Sequence, residues 1–315
     1  VHSPAPVKDS VLEPREFIAR FEAASGRAGF RPEQFGEVEG VPLVAFTHRT
    51  PGPRPRIYLS AGIHGDEPAP PLALLELLER GVFDARAVWF LCPLLNPLGF
   101  LRRTRENPAG VDLNRDYKSR LSAEIRAHTR WLEKQPPLDL AICLHEDWEA
   151  HGFYVYELNP TGQPSLAHAM LGAVAPVCPI ETASVIDGRP IAETGIIRPV
   201  ADPALRELWP ESIYLQAQHG RLGYTIETPS ALPLRQRRAA LVAAVTCAVE
   251  TACGRRAGSA DFRLPTLGAA GKPPRGLTNC FGRNSLPRQD RCGPSSTPDS
   301  LPSEPQRNQN SRSRP

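Results

Sequence analysis

His64 and Glu67 stand three residues apart in the run His64-Gly65-Asp66-Glu67, after a strand-like stretch at 56–63 and before a helix-like stretch opening at Pro68. An imidazole and a carboxylate on the turn that leaves a buried strand are two metal ligands offered by one short segment. A distant second histidine would complete a His₂Glu set, the kind that holds a catalytic zinc ion and leaves one coordination position open. His145 follows the apolar run 138–144 and is such a histidine. Glu227 follows the apolar run 222–226 and is an acid placed for proton transfer. Alone, a His-x-x-Glu pair arises often by chance, and two solvated loop residues explain it as well. Its weight comes from what else lines up along the chain.

For these groups to meet, the ends of several strands must converge. Apolar periodicity predicts a helix over 13–26, with Phe17, Ile18 and Phe21 on one side. Strands are expected at 41–47 and 57–63 around a Pro/Gly-rich turn at 50–55, followed by a Leu-rich helix at 69–80 and a strand at 87–92. The stretch 96–116, dense in Arg, Asn, Gly and Pro, reads as a long loop. A helix over 119–133 has Ser119 or Ser122 as its cap. Strands at 138–144 and 153–157 flank a loop carrying His145. Helices at 164–175 and 203–218, a strand at 222–226 and a closing helix at 234–253 complete the body. Strands alternating with helices predict a single α/β domain with a mixed, mostly parallel sheet flanked by helices. His64, Glu67, the 96–116 stretch, His145 and Glu227 all fall at or just past strand ends, where such sheets place their chemistry.

At 315 residues the chain is long enough to bury a large core, and no apolar run approaches the length that spans a bilayer. No signal-peptide pattern opens the sequence. The seven cysteines have no Cys-x-x-Cys spacing and are scattered through apolar runs, which predicts reduced core thiols and a cytoplasmic protein. Charge is unevenly spread. Residues 254–315 hold 11 Arg or Lys and four Asp or Glu, a surplus of seven against a whole-chain net of +3, so residues 1–253 carry −4. That basic stretch is rich in Pro, Ser, Arg and Gly and poor in aliphatic residues, and is expected to be a disordered tail following a catalytic domain at 1–253. It has neither aromatic interleaving nor a packed basic run, so nucleic-acid binding is not expected.

Four pieces appear in one order: Gly62-Ile63-His64-Gly65-Asp66-Glu67; Thr104-Arg105-Glu106-Asn107 leading into Gly110-Val111-Asp112-Leu113-Asn114-Arg115; Leu144-His145; and Tyr224-Thr225-Ile226-Glu227. Together they resemble the zinc carboxypeptidase family, including its succinylglutamate desuccinylase/aspartoacylase branch. The resemblance implies one Zn²⁺ held by His64, Glu67 and His145. It implies that Asn114 and Arg115 grip a substrate carboxylate, for which the guanidinium fork is suited. Glu227 matches the family's general base, and an Arg upstream of the Asn-Arg pair its oxyanion stabiliser. Arg105 fits one family spacing, Arg102 another, and Arg103 lies between; Arg105 is chosen. Asp112 matches a residue that orients a ligand imidazole, or else caps its own turn. The family's tyrosine has no secure match, Tyr214 and Tyr224 being nearby.

The expected activity is hydrolysis of an amide bond beside a free carboxylate, in a peptide or cell-wall stem peptide. An N-acyl-amino-acid deacylase shares the same motifs. A metal- or carboxylate-binding protein without turnover is the reading of another class, and the presence of Glu227 weighs against it. Glu146-Asp147-Trp148, after His145, is either an acidic rim favouring amine-bearing substrates or a solvated turn.

Overall fold

The computed structural model describes residues 12–186, 188–200 and 202–254. In chain order its elements are α1 (Pro14–Arg27), β1 (Arg31–Val38), β2 (Val41–His48), β3 (Arg56–Ser60), α2 (Ala69–Glu79), β4 (Val88–Cys92), α3 (Pro97–Arg102), a 3₁₀ turn (Leu113–Arg115), α4 (Ala123–Leu132), β5 (Leu140–Asp147), β6 (Tyr154–Leu158) and α5 (Ala167–Val174). Three two-residue strands follow, β7 (Val185–Ile186), β8 (Arg189–Pro190) and β9 (Ile196–Ile197). A second 3₁₀ turn (Pro203–Leu205), α6 (Glu211–Gln218), β10 (Gly223–Pro229) and α7 (Leu234–Gly254) close the fold. The residues expected to form a tail, 255–315, lie outside the described residues.

Eight strands form one sheet in the order β1-β2-β4-β3-β5-β10-β6-β9. Its centre is parallel: β3 pairs with β4 and β5, and β5 with β10. The flanks, β1/β2, β2/β4 and β10/β6, are antiparallel. This is the mixed α/β architecture that the alternating strands and helices predict.

Side-chain alternation sorts each central strand onto two cores. Ile57, Leu59, Ile142, Leu144, Tyr224 and Ile226 face a layer that includes α1, α2, α5 and α7. Tyr58, Ala141 and Cys143 face the other layer, with Ile125 and Trp131 of α4 and Tyr214 and Leu215 of α6. Both faces are covered, so the central strands read as continuous apolar runs. A buried Leu truncated to Ala in either layer would cost about 2–5 kcal/mol. Among the described residues no helix is long and apolar enough to cross a membrane.

Four expectations change. The strand β1 is additional: it is an edge strand with half its residues exposed, containing Pro32 and broken by a register shift between Gln34 and Gly36, so it carries no clean alternation. The stretch read as one loop contains α3, announced by Pro97 in its first turn and by the Asn96 side chain accepting from the Gly99 amide. The single helix expected over 203–218 is a 3₁₀ turn and a separate α6, because Trp209 precedes Pro210 and is held out of helical geometry. Finally, β5 and β10 run on through His145 and Glu227. Backbone ladders do not stop where side chains become polar, so these residues sit inside strands rather than in loops beyond them.

Candidate functional site

The turn after β3 is pinned from behind. Gly62 adopts φ +66°, a left-handed conformation that favours glycine, and its carbonyl accepts from the Leu95 and Asn96 amides. Gly65 donates to the Thr104 carbonyl at 3.0 Å and packs directly on the Gly99 backbone. The chain therefore has one path from β3 into α2, and that path aims His64 and Glu67 at the end of β5.

There they meet His145. His64 Nδ1 lies 2.5 Å from Glu67 Oε1, and His145 Nδ1 lies 3.2 Å from Glu67 Oε2. All three residues are buried, and their candidate ligand atoms lie within 4.8 Å of one another. Two imidazoles and one carboxylate this close together form a donor set that fits a divalent ion of the zinc type. Burial opposes the His64 charge, but the Glu67 carboxylate outweighs it and raises its pKa to about 9. Burial likewise opposes the Glu67 charge, and the two imidazoles hold its pKa well below the usual carboxylate range. Glu67 Oε2 also accepts from the Glu146 amide at 3.1 Å.

Asp112 reaches His64 from the far side, with Oδ1 3.3 Å from Nε2. The same oxygen accepts from the Asn114 amide at 2.9 Å and caps the 3₁₀ turn, so both contacts weighed for Asp112 exist together. Arg105 donates from Nε to Asp112 Oδ2 at 3.1 Å and lies 3.6 Å from Glu67 Oε1. Burial works against its charge; Asp112 and Glu67 more than offset this and hold its pKa above the ordinary value. Arg105 lines the pocket, whereas Arg102 and Arg103 do not, Arg103 being turned away in a left-handed helix cap.

Asn114 and Arg115 line the same pocket. Asn114 is nearly buried, its Oδ1 accepting from the Glu211 amide at 2.9 Å. Arg115 donates to the Asn114 carbonyl and forms no salt bridge with a described residue, though its charge helps to lower the Asp112 pKa. Glu227 is half-buried and pairs in register with His145 on one side and Tyr154 on the other. Its side chain makes no hydrogen bond or ion pair with a described residue. Burial pushes its pKa up, and the partial relief from His145 does not offset this. All eight residues singled out in the sequence are thus brought to one place; seven line a pocket of about 580 Å³ and Asp112 stands behind His64.

Other parts of the pocket carried no signal in the sequence. Tyr154 and Tyr156 line it, while Tyr214 and Tyr224 do not: Tyr214 packs on Tyr117 in the core, and Tyr224 donates to the buried Glu157. Tyr154 donates to Asp147 at 2.9 Å. Arg189 and Arg206 join Arg115 in the wall. Burial and the charges of Arg189 and Arg115 pull the Arg206 pKa below its usual value. These residues come from segments without recognisable motifs, and only long-range folding assembles them. Glu146, Asp147 and Trp148 all line the pocket. Glu146 also accepts from the Ala69 amide and pairs with Arg237 of α7; burial nevertheless pushes its pKa up to about 7. Trp148 is the exposed member, at 76 %.

Residues 53–253 match the family model of the succinylglutamate desuccinylase/aspartoacylase catalytic domain. Among solved structures, a candidate metallopeptidase from Shewanella amazonensis SB2B is 27 % identical, with a TM-score of 0.66 over 75 % of this chain and 92 % of that one. A metallo-carboxypeptidase from Burkholderia cenocepacia is 21 % identical, TM-score 0.57, over 76 % and 69 % of the two chains. Carboxypeptidase A from Helicoverpa armigera is 16 % identical, TM-score 0.58, over 79 % and 75 %. The last two are likenesses of fold. No match was found among curated proteins.

Proposed function

The chain belongs to the succinylglutamate desuccinylase/aspartoacylase catalytic-domain family, a hydrolytic fold family, and on that premise we propose that it is a zinc-dependent hydrolase cleaving an amide bond beside a free carboxylate. The observation that carries this reading is the buried His64–Glu67–His145 cluster with Glu227 in register beside it and Arg115 in the same pocket.

In this reading His64, Glu67 and His145 hold the ion, which when bound supplies Lewis acidity and makes water more acidic. Asn114 and Arg115 bind the substrate carboxylate, Arg115 through its fork and Asn114 through a neutral N–H. That fixes the scissile bond relative to Glu227. The Glu227 carboxylate takes a proton from the attacking water as its oxygen bonds to the carbonyl carbon. It then returns the proton to the nitrogen as the C–N bond breaks. Arg105 faces the carbonyl oxygen as that oxygen gains charge. Asp112 holds the His64 ring through Nε2 and leaves Nδ1 toward the ion. A raised pKa suits Glu227 to holding the proton between the two steps.

A second reading, deacylation of an N-acyl amino acid, is supported by the family model. The deciding experiment is a hydrolysis screen of free-acid dipeptides, γ-linked stem peptides and N-acyl amino acids, each with and without chelator. Activity on one class, lost on chelation and restored by zinc, supports the proposal and chooses between its readings. Activity that chelation leaves intact refutes it.

A further inference from the structure

Among the buried acids that take no part in the scheme above, Glu211 is the least exposed. Glu211 opens α6 and is 1 % exposed, and no Lys, Arg or His forms a salt bridge with it among the described residues. A carboxyl group placed there is costly unless its oxygens are satisfied. They are: Oε1 accepts from the Tyr58 hydroxyl at 2.6 Å and Oε2 from the Ser60 hydroxyl at 2.8 Å. The chain of bonds extends further. Tyr58 also contacts His128 Nε2 at 3.1 Å, and His128 Nδ1 contacts the Tyr117 hydroxyl at 2.8 Å. Tyr58 donates to Glu211, so a neutral His128 must carry its hydrogen on Nε2 and accept from Tyr117 on Nδ1. Every donor in the series then points toward Glu211.

The far end of this arrangement touches the pocket. The Glu211 backbone N–H donates to Asn114 Oδ1 at 2.9 Å, across 97 residues of sequence. This bond decides which way round the Asn114 amide sits. With Oδ1 committed to a donor, the Asn114 NH₂ is the end left for the pocket that the residue lines. A flipped amide would set two donors against each other. The position of that backbone N–H is itself fixed, because the Glu211 carboxyl ties the start of α6 to Tyr58 and Ser60 of β3. The same strand leads into His64. One strand therefore sets both the metal-ligand turn and, through Glu211, the neighbour of Arg115.

We infer that Glu211 is a positioning residue, which locks Asn114 with its NH₂ toward the substrate carboxylate and sets the distance between that carboxylate clamp and the His64 turn. The inference rests on the proposed grip of Asn114 and Arg115 on a carboxylate. Glu211 does not itself meet substrate.

The test compares an N-acylated dipeptide as free acid and as its C-terminal amide in wild type, Glu211→Ala and Tyr58→Phe. Asn114 donates only toward a carboxylate in this scheme. Glu211→Ala should therefore raise KM for the free acid about tenfold and Tyr58→Phe about threefold, with kcat changed less than about twofold and the amide unaffected. Zinc content should match wild type. An equal loss on both substrates, or an unchanged KM on the free acid, overturns the inference. If Glu211→Ala does not fold, Tyr58→Phe, which keeps the ring in place, is judged by the same two criteria. A wild type that fails to prefer the free acid would instead refute the carboxylate clamp, and the two failures are told apart by the wild-type ratio alone.

Discussion

Gly65→Ala is the substitution that best separates this structure from its sequence. Gly65 does not have a left-handed φ, so alanine could adopt its backbone conformation, and no functional atom of Gly65 enters the proposed chemistry. The obstacle is space. A Cβ built there would stand 2.0 Å from the Gly99 carbonyl carbon, 2.3 Å from the Gly99 oxygen and 2.4 Å from the Phe100 nitrogen, all backbone atoms. Reaching ordinary contact would require the two backbones to separate by about 1.4 Å. The Gly65 N–H to Thr104 bond and the Thr104 N–H to Gly99 bond, both 3.0 Å, lie in the path of that movement. Overpacking and the strained hydrogen bonds together should cost about 2–4 kcal/mol of stability. The effect on metal should be larger. His64 and Glu67 flank Gly65, and a zinc site tolerates ligand displacements of only about 0.2 Å. Zinc affinity, measured by competition with a chelator of known strength, should fall at least about 100-fold, and kcat/KM at limiting zinc should fall with it. Gly26→Ala is the control: its Cβ would meet nothing within 4 Å, and at this exposed position near the end of α1 it should raise stability by about 0.5–1 kcal/mol. A Gly65→Ala protein with wild-type stability and zinc affinity would show that the turn is not packed as described, and would remove the geometric basis of the metal site.

Two further substitutions address the chemistry directly. Glu227→Gln keeps the side-chain shape and removes the base, so kcat should fall about 10²–10⁴-fold while zinc content stays at the wild-type level; undiminished turnover would reject the base assignment. Arg115→Lys loses the bidentate fork, and should raise KM for free-acid substrates about tenfold with little change in kcat. Equal cleavage of free acids and amides by the wild type would remove that role.

A carboxyl on each side of the sheet shows how parity assigns roles. His145 and Glu146 are adjacent acid–base residues at the end of one strand. One enters the pocket beneath α6, and the other turns to α2 and α7 to pair with Arg237. Glu227 faces the pocket because it shares both the register and the face of His145. A shift of one residue in either strand would exchange these roles.

Local chemistry in the sequence determined much of this protein. The His64–Glu67 spacing, the apolar runs that announce the central strands, and the Asp112–Arg115 segment are short-range patterns, and each keeps its meaning wherever the chain is placed. Tertiary structure alone decided the rest. It brought Arg105 and not Arg102 or Arg103 to the pocket, because the cap of α3 turns Arg103 away while Asp112 draws Arg105 in. It tied Glu146 to Arg237 and added Arg189, Arg206 and Tyr154 to the pocket wall. It also set Glu211 behind Asn114, although 97 residues separate them. Such contacts depend on strand order, on which face of a strand each residue occupies and on where a helix begins relative to a distant turn. None of these leaves a periodic mark in the chain, because the partners are chosen by packing between elements rather than by the spacing of residues within one.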